Sequence, residues 1–490
     1  MFKLIIKTLV KFVPVIALVT ACGGGGSEAP TTPLTVPVVT TPSTTTPGTT
    51  PTTTPTTTPT TPSSGKLFTA GWSTSKSVDP NNSLIWSVLT VGDNGTVLGA
   101  WYTQTGVVTG SKTATASSWS IGSNILPTGY SSPYQPLYRY RSKPIAMGAY
   151  NDKAVLAFAA NKGSTPVMMV TARVAGIWQA PEEVALPVTN GDVKIDVNGS
   201  GTAAVAWCAQ TGKVQMVVVS NTGAKKLYPD VQKCKSPNGF EASTVHLVQA
   251  ANDDVTIYSI DEFADTLKPT VTRKAITERV FTASTQTWGT PSRITSEEAG
   301  NSLSGDFAFA ISNDRNIRLL AWTQNNDNLN RDIVSKLRVA GVWQSDVPVT
   351  TRKDKKYDSP VVAVNNTGYA LIAFNDASAV NGEMSHIMAS SRKPGYGWAT
   401  PAVVQQFGFM PPDLTIDEVG NGAIAFIDLS SVRLASINAF GAYSASINMT
   451  PSSSHAGENN FRFGKSPTGN NYLLYWMFRD GPGYATRSAQ

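Results

Sequence analysis

The residues of this chain able to do acid–base, metal or redox work are few and dispersed. Its three histidines, His246, His386 and His455, sit in no HExxH or CxxC arrangement, and a zinc site needs ligands brought to one point by such spacing. Each reads as a structural or solvent-facing imidazole. There is no GxSxG nucleophile elbow and no phosphate-cradling glycine loop. Residues 325–332, Asn-Asn-Asp-Asn-Leu-Asn-Arg-Asp, are rich in oxygen but lack the Gly and closing Glu of a calcium loop. No metal and no cofactor is expected. Cys208 and Cys234 form a pair 26 residues apart. In an exported protein such a pair points to a disulfide, and closing that loop would stabilise by roughly 3 kcal/mol; two free thiols are the alternative.

The remaining candidates are polar groups that recur just after a series of aromatics: Gln104, Asn161, Gln210, Asp261, Gln324, Asp327, Asp376, Asp428, Arg479 and Asp480. Two carboxylates facing one glycosidic bond would serve hydrolysis. A ring of such groups would hold a sugar, a peptide or a cation. The plainer alternative is that polar residues cap strand ends beside water. The candidate ligand face is therefore Asp261, Asp327, Asp376, Asp428, Arg479 and Asp480, provided the elements carrying them converge.

Those elements repeat. In Ile195–Trp207, Ile-Asp-Val-Asn-Gly-Ser-Gly-Thr-Ala-Ala-Val-Ala-Trp, an alternating apolar stretch meets an Asn/Gly turn, and a second apolar stretch ends in an aromatic. Asn, Asp and Gly tolerate the positive φ that tight hairpin turns require. The aromatics ending such hairpins are Trp101, Phe158, Trp207, Tyr258, Trp322, Phe374, Phe426 and Trp476, at intervals of 57, 49, 51, 64, 52, 52 and 50 residues. A second marker, Trp119, Trp178, Trp288, Trp343 and Trp398, follows five of them and opens Trp-x-x-Pro in three copies, leaving room for two more strands. Four short strands in about 50 residues, eight times over, is the pattern of β-propeller blades. The fold expected is all-β, a single propeller of eight four-stranded blades; seven blades with an insertion is the alternative.

The last copy has room for three strands. The unassigned piece Lys66–Trp72 is expected to add the fourth, closing the ring and removing exposed sheet edges. The ring would span residues 66–490. Charged residues are 15 % and the net charge is +6; losing Lys3, Lys7 and Lys11 with a leader leaves 6 − 3 = +3. The one basic cluster, Arg352-Lys353-Asp354-Lys355-Lys356, reads as a solvated loop, so a nucleic-acid partner is not expected.

Residues 1–21 have a basic start, an apolar middle from Phe12 to Val19 and a small residue before Cys22, the pattern of a secretory signal. The middle is too short for a comfortable membrane span. Val19-Thr20-Ala21-Cys22 resembles the bacterial lipobox. The resemblance implies that Cys22 becomes the mature N-terminus, carries a diacylglycerol and makes the membrane a partner, since two or three acyl chains anchor firmly. Gly23 rather than Asp follows, which under the enterobacterial sorting rule implies the outer membrane of a Gram-negative cell. Residues 22–65 are Thr/Pro-rich and unable to bury a core; about 40 such residues reach on the order of 120 Å.

The repeat as a whole is similar to the sialidase-type propeller family, whose Asp-box turns read Ser-x-Asp-x-Gly-x-x-Trp. Ser312-Asn313-Asp314-Arg315-Asn316 is the nearest copy, with Asn316 where the box has Gly. That resemblance implies an arginine triad, a Tyr/Glu pair and an Asp acid/base, which spacing does not assemble here. Address and blade number are similar to those of the eight-bladed lipoprotein of the outer-membrane barrel-assembly machinery, without its quinoprotein-type repeat. The function expected is a lipid-anchored, non-catalytic binding or scaffold module for an envelope protein or glycan. A glycan-active hydrolase or lyase with channel carboxylates is the alternative, and a purely structural accessory of an envelope assembly the third reading.

Overall fold

The computed structural model describes residues 72–488 except 74–75, 78–85, 104, 133–144, 186–192, 210, 235–244, 265–269, 271, 296–301, 326–329, 352–354, 378–384, 407–410, 429–430, 451–459, 467 and 479–480. The expected signal segment, Cys22, the Thr/Pro-rich stretch and His455 lie outside the described residues, as do Gln104, Gln210, Asp327, Arg479 and Asp480.

The hairpin turns are built as their residue types require. In seven of the eight, the fourth turn residue donates its amide to the carbonyl of the first, as Gly201 does to Asn198 at 3.0 Å and Gly368 to Asn365 at 3.1 Å. That fourth residue has positive φ: Gly95, Gly201, Gly368, Gly420 and Gly469, but Asp253 and Arg315 in the other two. In blades 3, 6 and 7 the first residue, Asn198, Asn365 or Asp417, also fixes the turn through its side chain. Asn365 Oδ1 accepts the Thr367 and Tyr369 amides at 3.1 and 2.9 Å, and Asp417 Oδ1 those of Val419 and Asn421 at 3.1 and 2.8 Å. These are Asx turns, which Asn and Asp form by accepting backbone amides two residues on.

Each hairpin supplies the first and second strands of an antiparallel blade. In blade 3, Lys194–Val197 pairs with Ala203–Cys208, which pairs with Val214–Val219 and then Lys225–Tyr228. All eight marker aromatics fall on second strands and are at most 2 % exposed. Second strands lie between neighbouring strands of their own blade and between neighbouring blades, so both faces are covered. This is why their sequences run apolar without alternating. Large rings are admitted by small neighbours: a Cβ on Gly99 would sit 2.4 Å from the Trp101 ring and one on Gly110 2.8 Å from it. The Trp-x-x-Pro markers sit on outer strands and break them in two. In blade 2, Ile177–Trp178 and Glu182–Ala185 both pair with Thr165–Val174, with Pro181 between. Proline lacks the amide a ladder needs and is tolerated at such an edge.

There are eight four-stranded blades in a ring. Inner strands touch their neighbours around it, and Trp86–Val91 of blade 1 meets Asn460–Lys465 of blade 8. The ring closes as expected, through an N-terminal strand in the last blade, which among the described residues is Lys76–Ser77. Lys76–Ser77 pairs with Tyr484 and Gly483, and Ser73 exchanges hydrogen bonds with Thr486 at 2.9 and 3.0 Å. Residues 66–71 are outside the described residues, and of the expected segment 66–72 only Trp72 is seen. Its ring lies 6.0 Å from that of Phe463, against the core between blades 7 and 8. The apolar run of that segment drew the assignment, whereas the pairing rests on backbone groups of the polar stretch after it.

That seam is lined with buried phenols, and its pH response follows. Burial pushes Tyr475 and Tyr484 up from the usual 10.0 to about 12. Their neutral forms are favoured in the fold, so this stability is fully present below the unfolded-state value near 10.0 and is lost as pH rises through about 12. Phenolate absorbance should show these two tyrosines ionising together with unfolding, not in the ordinary phenol range. Early, non-cooperative ionisation of every tyrosine would contradict the packing of this seam.

Candidate functional site

The ring has two ends. The Asn/Asp/Gly turns and the loops between third and outer strands lie at one, the turn end. The hairpins joining second to third strands lie at the other, the far end, where the candidate polar residues were expected. The far-end hairpins are uneven. In blade 4 the inner strand Val245–Gln249 pairs with residues 255–259, while Val255–Ala264 and Thr272–Thr282 continue beyond it as a two-stranded arm. On that arm the Arg293 guanidinium stacks 3.6 Å from the Phe263 ring centroid. Blade 2 also extends, with Lys153–Lys162 running past its inner strand Ile145–Tyr150.

The described candidates occupy this end, each on its own blade. Asp376 ends the second strand of blade 6 and pairs with Lys355 at 3.3 Å. Asp428 ends that of blade 7 and pairs with Arg433 at 2.7 Å. Asp261 lies on the arm of blade 4, where its buried Oδ1 has no hydrogen-bond partner among the described residues. Gln324 accepts the Trp322 indole N–H at 3.4 Å. Among the described residues, no three His, Cys, Asp or Glu side chains form a group that could hold a metal ion. His246 is tied to the next blade, its Nε2 3.2 Å from the Phe307 carbonyl and its ring 4.8 Å from the Phe307 ring. The basic segment is attached at this end too, since the Lys356 carbonyl accepts the Ala377 amide at 2.8 Å.

Sequence reasoning missed a polar cluster at the far end of blade 2. The Tyr130 hydroxyl donates to Glu183 Oε2 at 2.7 Å, and Lys162 Nζ reaches the same oxygen at 3.0 Å. The Tyr130 hydrogen bond, then that of Lys162, holds the Glu183 carboxyl below its usual range. Tyr130 is raised, first by its bond to Glu183. Only the short strand Tyr130–Ser131, paired onto the extension of Lys153–Lys162, brings the three together; no spacing announced it. The two cysteines are joined, with Cα atoms 5.9 Å apart. The bridge fastens the far-end exit of the second strand of blade 3 to the chain after its outer strand.

The turn end is spanned by one segment, the turn Ser312–Asn316 of blade 5. Arg315 forms a bidentate pair with Asp196 of blade 3, its Nη2 at 3.0 Å from Oδ1 and 2.9 Å from the Val197 carbonyl; its Nη1 donates to Asp196 Oδ2 and to the Gln249 carbonyl of blade 4. Asn313 reaches the other way, donating to Glu418 of blade 7 at 2.6 Å and to the Thr468 carbonyl of blade 8 at 3.3 Å. The Asp314 amide donates to Asn366 of blade 6 at 2.8 Å. Blades 3, 7 and 8 are not neighbours of blade 5, so these bonds cross the ring axis. Around the clasp, successive turns are tied to each other. Asn198 donates to the Ala250 carbonyl at 3.0 Å and Asn365 to that of Asp417 at 2.9 Å, each over 52 residues. The segment that looked like an Asp box is thus a structural hub.

No protein-family model matches the chain, and no curated protein matches it. Among solved structures it is weakly similar in fold to the BP39L lectin of Burkholderia pseudomallei, at 12 % identity over 71 % of this chain and 96 % of that one, with a TM-score of 0.48. It is also similar to the polysaccharide lyase Uly1, at 8 % identity over 86 % of this chain and 100 % of that one, TM-score 0.48. An ulvan lyase of polysaccharide lyase family PL25 is similar at 9 % identity over 69 % and 90 %, TM-score 0.46. At these identities the likeness is one of fold.

Proposed function

We propose that this protein is a non-catalytic binding module of the bacterial cell envelope, anchored through an acylated Cys22 to the outer membrane. It takes an envelope glycan or protein on the far end of its propeller. One observation carries the reading: the far-end carboxylates Glu183, Asp376 and Asp428 each face a cation within their own blade. A carboxylate already neutralised in this way accepts hydrogen bonds from a sugar or peptide, but is poorly suited to take up or release a proton during turnover. The clasp supports the same orientation, because its hydrogen bonds span the other mouth of the ring. A second reading, glycan hydrolysis or elimination, is favoured by Asp261, whose Oδ1 lacks a partner among the described residues.

A glycan array and a pull-down from membranes, both with the full chain, test the proposal. Glu183→Gln and Asp376→Asn should each weaken capture about tenfold, the loss of one charge-assisted hydrogen bond, or about 1.4 kcal/mol. Release of new chain ends from a bound glycan, abolished by Asp261→Asn, would replace the proposal with the enzymatic reading. The mass of the N-terminal peptide, against Cys22→Ser, reports the anchor separately.

A further inference from the structure

The nine large apolar side chains exposed among the described residues are unevenly placed. Four, Ile121, Leu227, Val403 and Ile447, lie on outer strands at blade edges. The other five are at the turn end: Ile177 of blade 2, Val342 of blade 5, Tyr396 of blade 6, and Val419 and Phe440 of blade 7, each 60–74 % exposed. They stand at loop apices that are held firmly. Ile177 and Val342 directly follow the tight turns Ala175-Gly176 and Ala340-Gly341, all four residues with positive φ. The Tyr396 amide is bonded to the Lys393 carbonyl at 3.1 Å, and that of Phe440 to Asn438 Oδ1 at 2.9 Å. Lys393 Nζ lies 3.9 Å from the Phe440 ring centroid.

The chain also enters the ring at this end. Ser73 pairs with Thr486, two residues from the end of a strand whose last residue, Ser488, pairs with Asn471 beside a turn. Ser77, further along, pairs with Gly483 toward the far end. Cys22 precedes Trp72 by 50 residues, and the described chain begins at the turn end with Trp72 and Ser73.

We propose that the turn end docks on a lipid surface, with Ile177, Val342, Val419, Tyr396 and Phe440 as its contact points, leaving the far end to face away from the membrane. This rests on the lipid-anchor reading above. The apolar tips are carried by blades 2, 5, 6 and 7, and a deformable interface accepts protrusions spaced around a ring. Tyr and Phe at the apices suit the headgroup boundary, and Lys393 beside Phe440 suits lipid phosphates. Three carboxylates of this end that would oppose docking are engaged within the ring, Asp93 by Thr468, Asp253 by Asn198 and Glu418 by Asn313.

The test uses the full acylated chain in phosphatidylethanolamine/phosphatidylglycerol vesicles, part of them with brominated acyl chains. An environment-sensitive fluorophore is placed on a cysteine introduced by Phe440→Cys or, as the far-end control, by Glu262→Cys. Bromolipid quenching should be about threefold greater at 440 than at 262. With the probe at Val419→Cys instead, adding Tyr396→Ser and Phe440→Ser should cut quenching by about half. Equal quenching at both ends of an acylated chain overturns the docking and leaves the anchor intact. So does cross-linking between copies through 440 without quenching, which assigns the tips to a second copy. If mass shows Cys22 unmodified, the anchor reading fails by itself; the same chain added to vesicles must then still be quenched at 440, or the docking fails with it.

Discussion

Arg315→Ala should lower the stability of the ring by about 2–3 kcal/mol, the order expected when one partner of a partly shielded, bidentate pair is removed and its carboxylate left behind. Arg315 and Asp196 are each 22 % exposed, and the guanidinium also serves two backbone carbonyls, so the loss exceeds that of a solvent-exposed pair, typically below about 1 kcal/mol. Arg315 further holds a left-handed conformation, φ 65°, at a turn position that five other blades give to glycine. That conformation costs a non-glycine residue roughly 1–2 kcal/mol. Arg315→Gly should therefore be milder than Arg315→Ala by about 1 kcal/mol, although both delete the same contacts. This ordering separates the clasp from a generic loss of side-chain packing, which would make Gly the worse of the two. Denaturant midpoints at unchanged slope measure it, and a cycle with Asp196→Ala should return a coupling of more than about 1 kcal/mol. An Arg315→Ala ring with the wild-type midpoint would mean that the turn end stays closed without its central cation.

How far apart two interacting residues lie in the chain decides whether their contact can be read from sequence. Blade number, the marker aromatics and the turns were legible because each is local: a turn within four residues, an apolar run within a strand, and a repeat that multiplies the signal. The closing strand is expected in the right blade over residues 66–72, and the described pairing is made by Ser73, Lys76 and Ser77. Lys76–Ser77 is two residues long and has no hydrophobic period to mark it, so the apolar residues before it attracted the assignment. The role of Arg315 was invisible for a different reason. Its partner Asp196 is 119 residues away, and only the closed ring puts blade 3 opposite blade 5. The candidate face was half legible. Placing Asp376 and Asp428 at the far end follows from strand direction, but that Lys355 and Arg433 face them depends on how the loops fold back. The Tyr130, Lys162 and Glu183 cluster needed a strand with no place in the repeat.

Removing the bridge should cost about 3 kcal/mol in a Cys208→Ala/Cys234→Ala double variant, since a 26-residue loop regains its freedom in the unfolded chain. Most of that acts on the unfolded state, so the variant's ring should fold normally and simply unfold at lower denaturant. Cys208 and Cys234 are 3 % and 6 % exposed and sit in the core shared by blades 3 and 4 with Met216, Val231 and Val245. A thiolate must reach the sulfur it attacks. Reductant alone should therefore be nearly without effect on the native protein, yet lower the midpoint once unfolding exposes the bridge. Single substitutions should do worse than the double one, leaving a thiol free to pair between molecules. The bridge also fixes a far-end junction, so the double variant predicts which end holds the ligand. If ligand binds across blades 3 and 4, affinity should fall together with stability, and ligand should protect the bridge from reduction. A double variant with the wild-type midpoint would show that the non-covalent contacts of this junction, such as the loop hydrogen bond from the Cys234 amide to the Gly212 carbonyl at 3.0 Å, suffice for it and that the covalent link adds nothing.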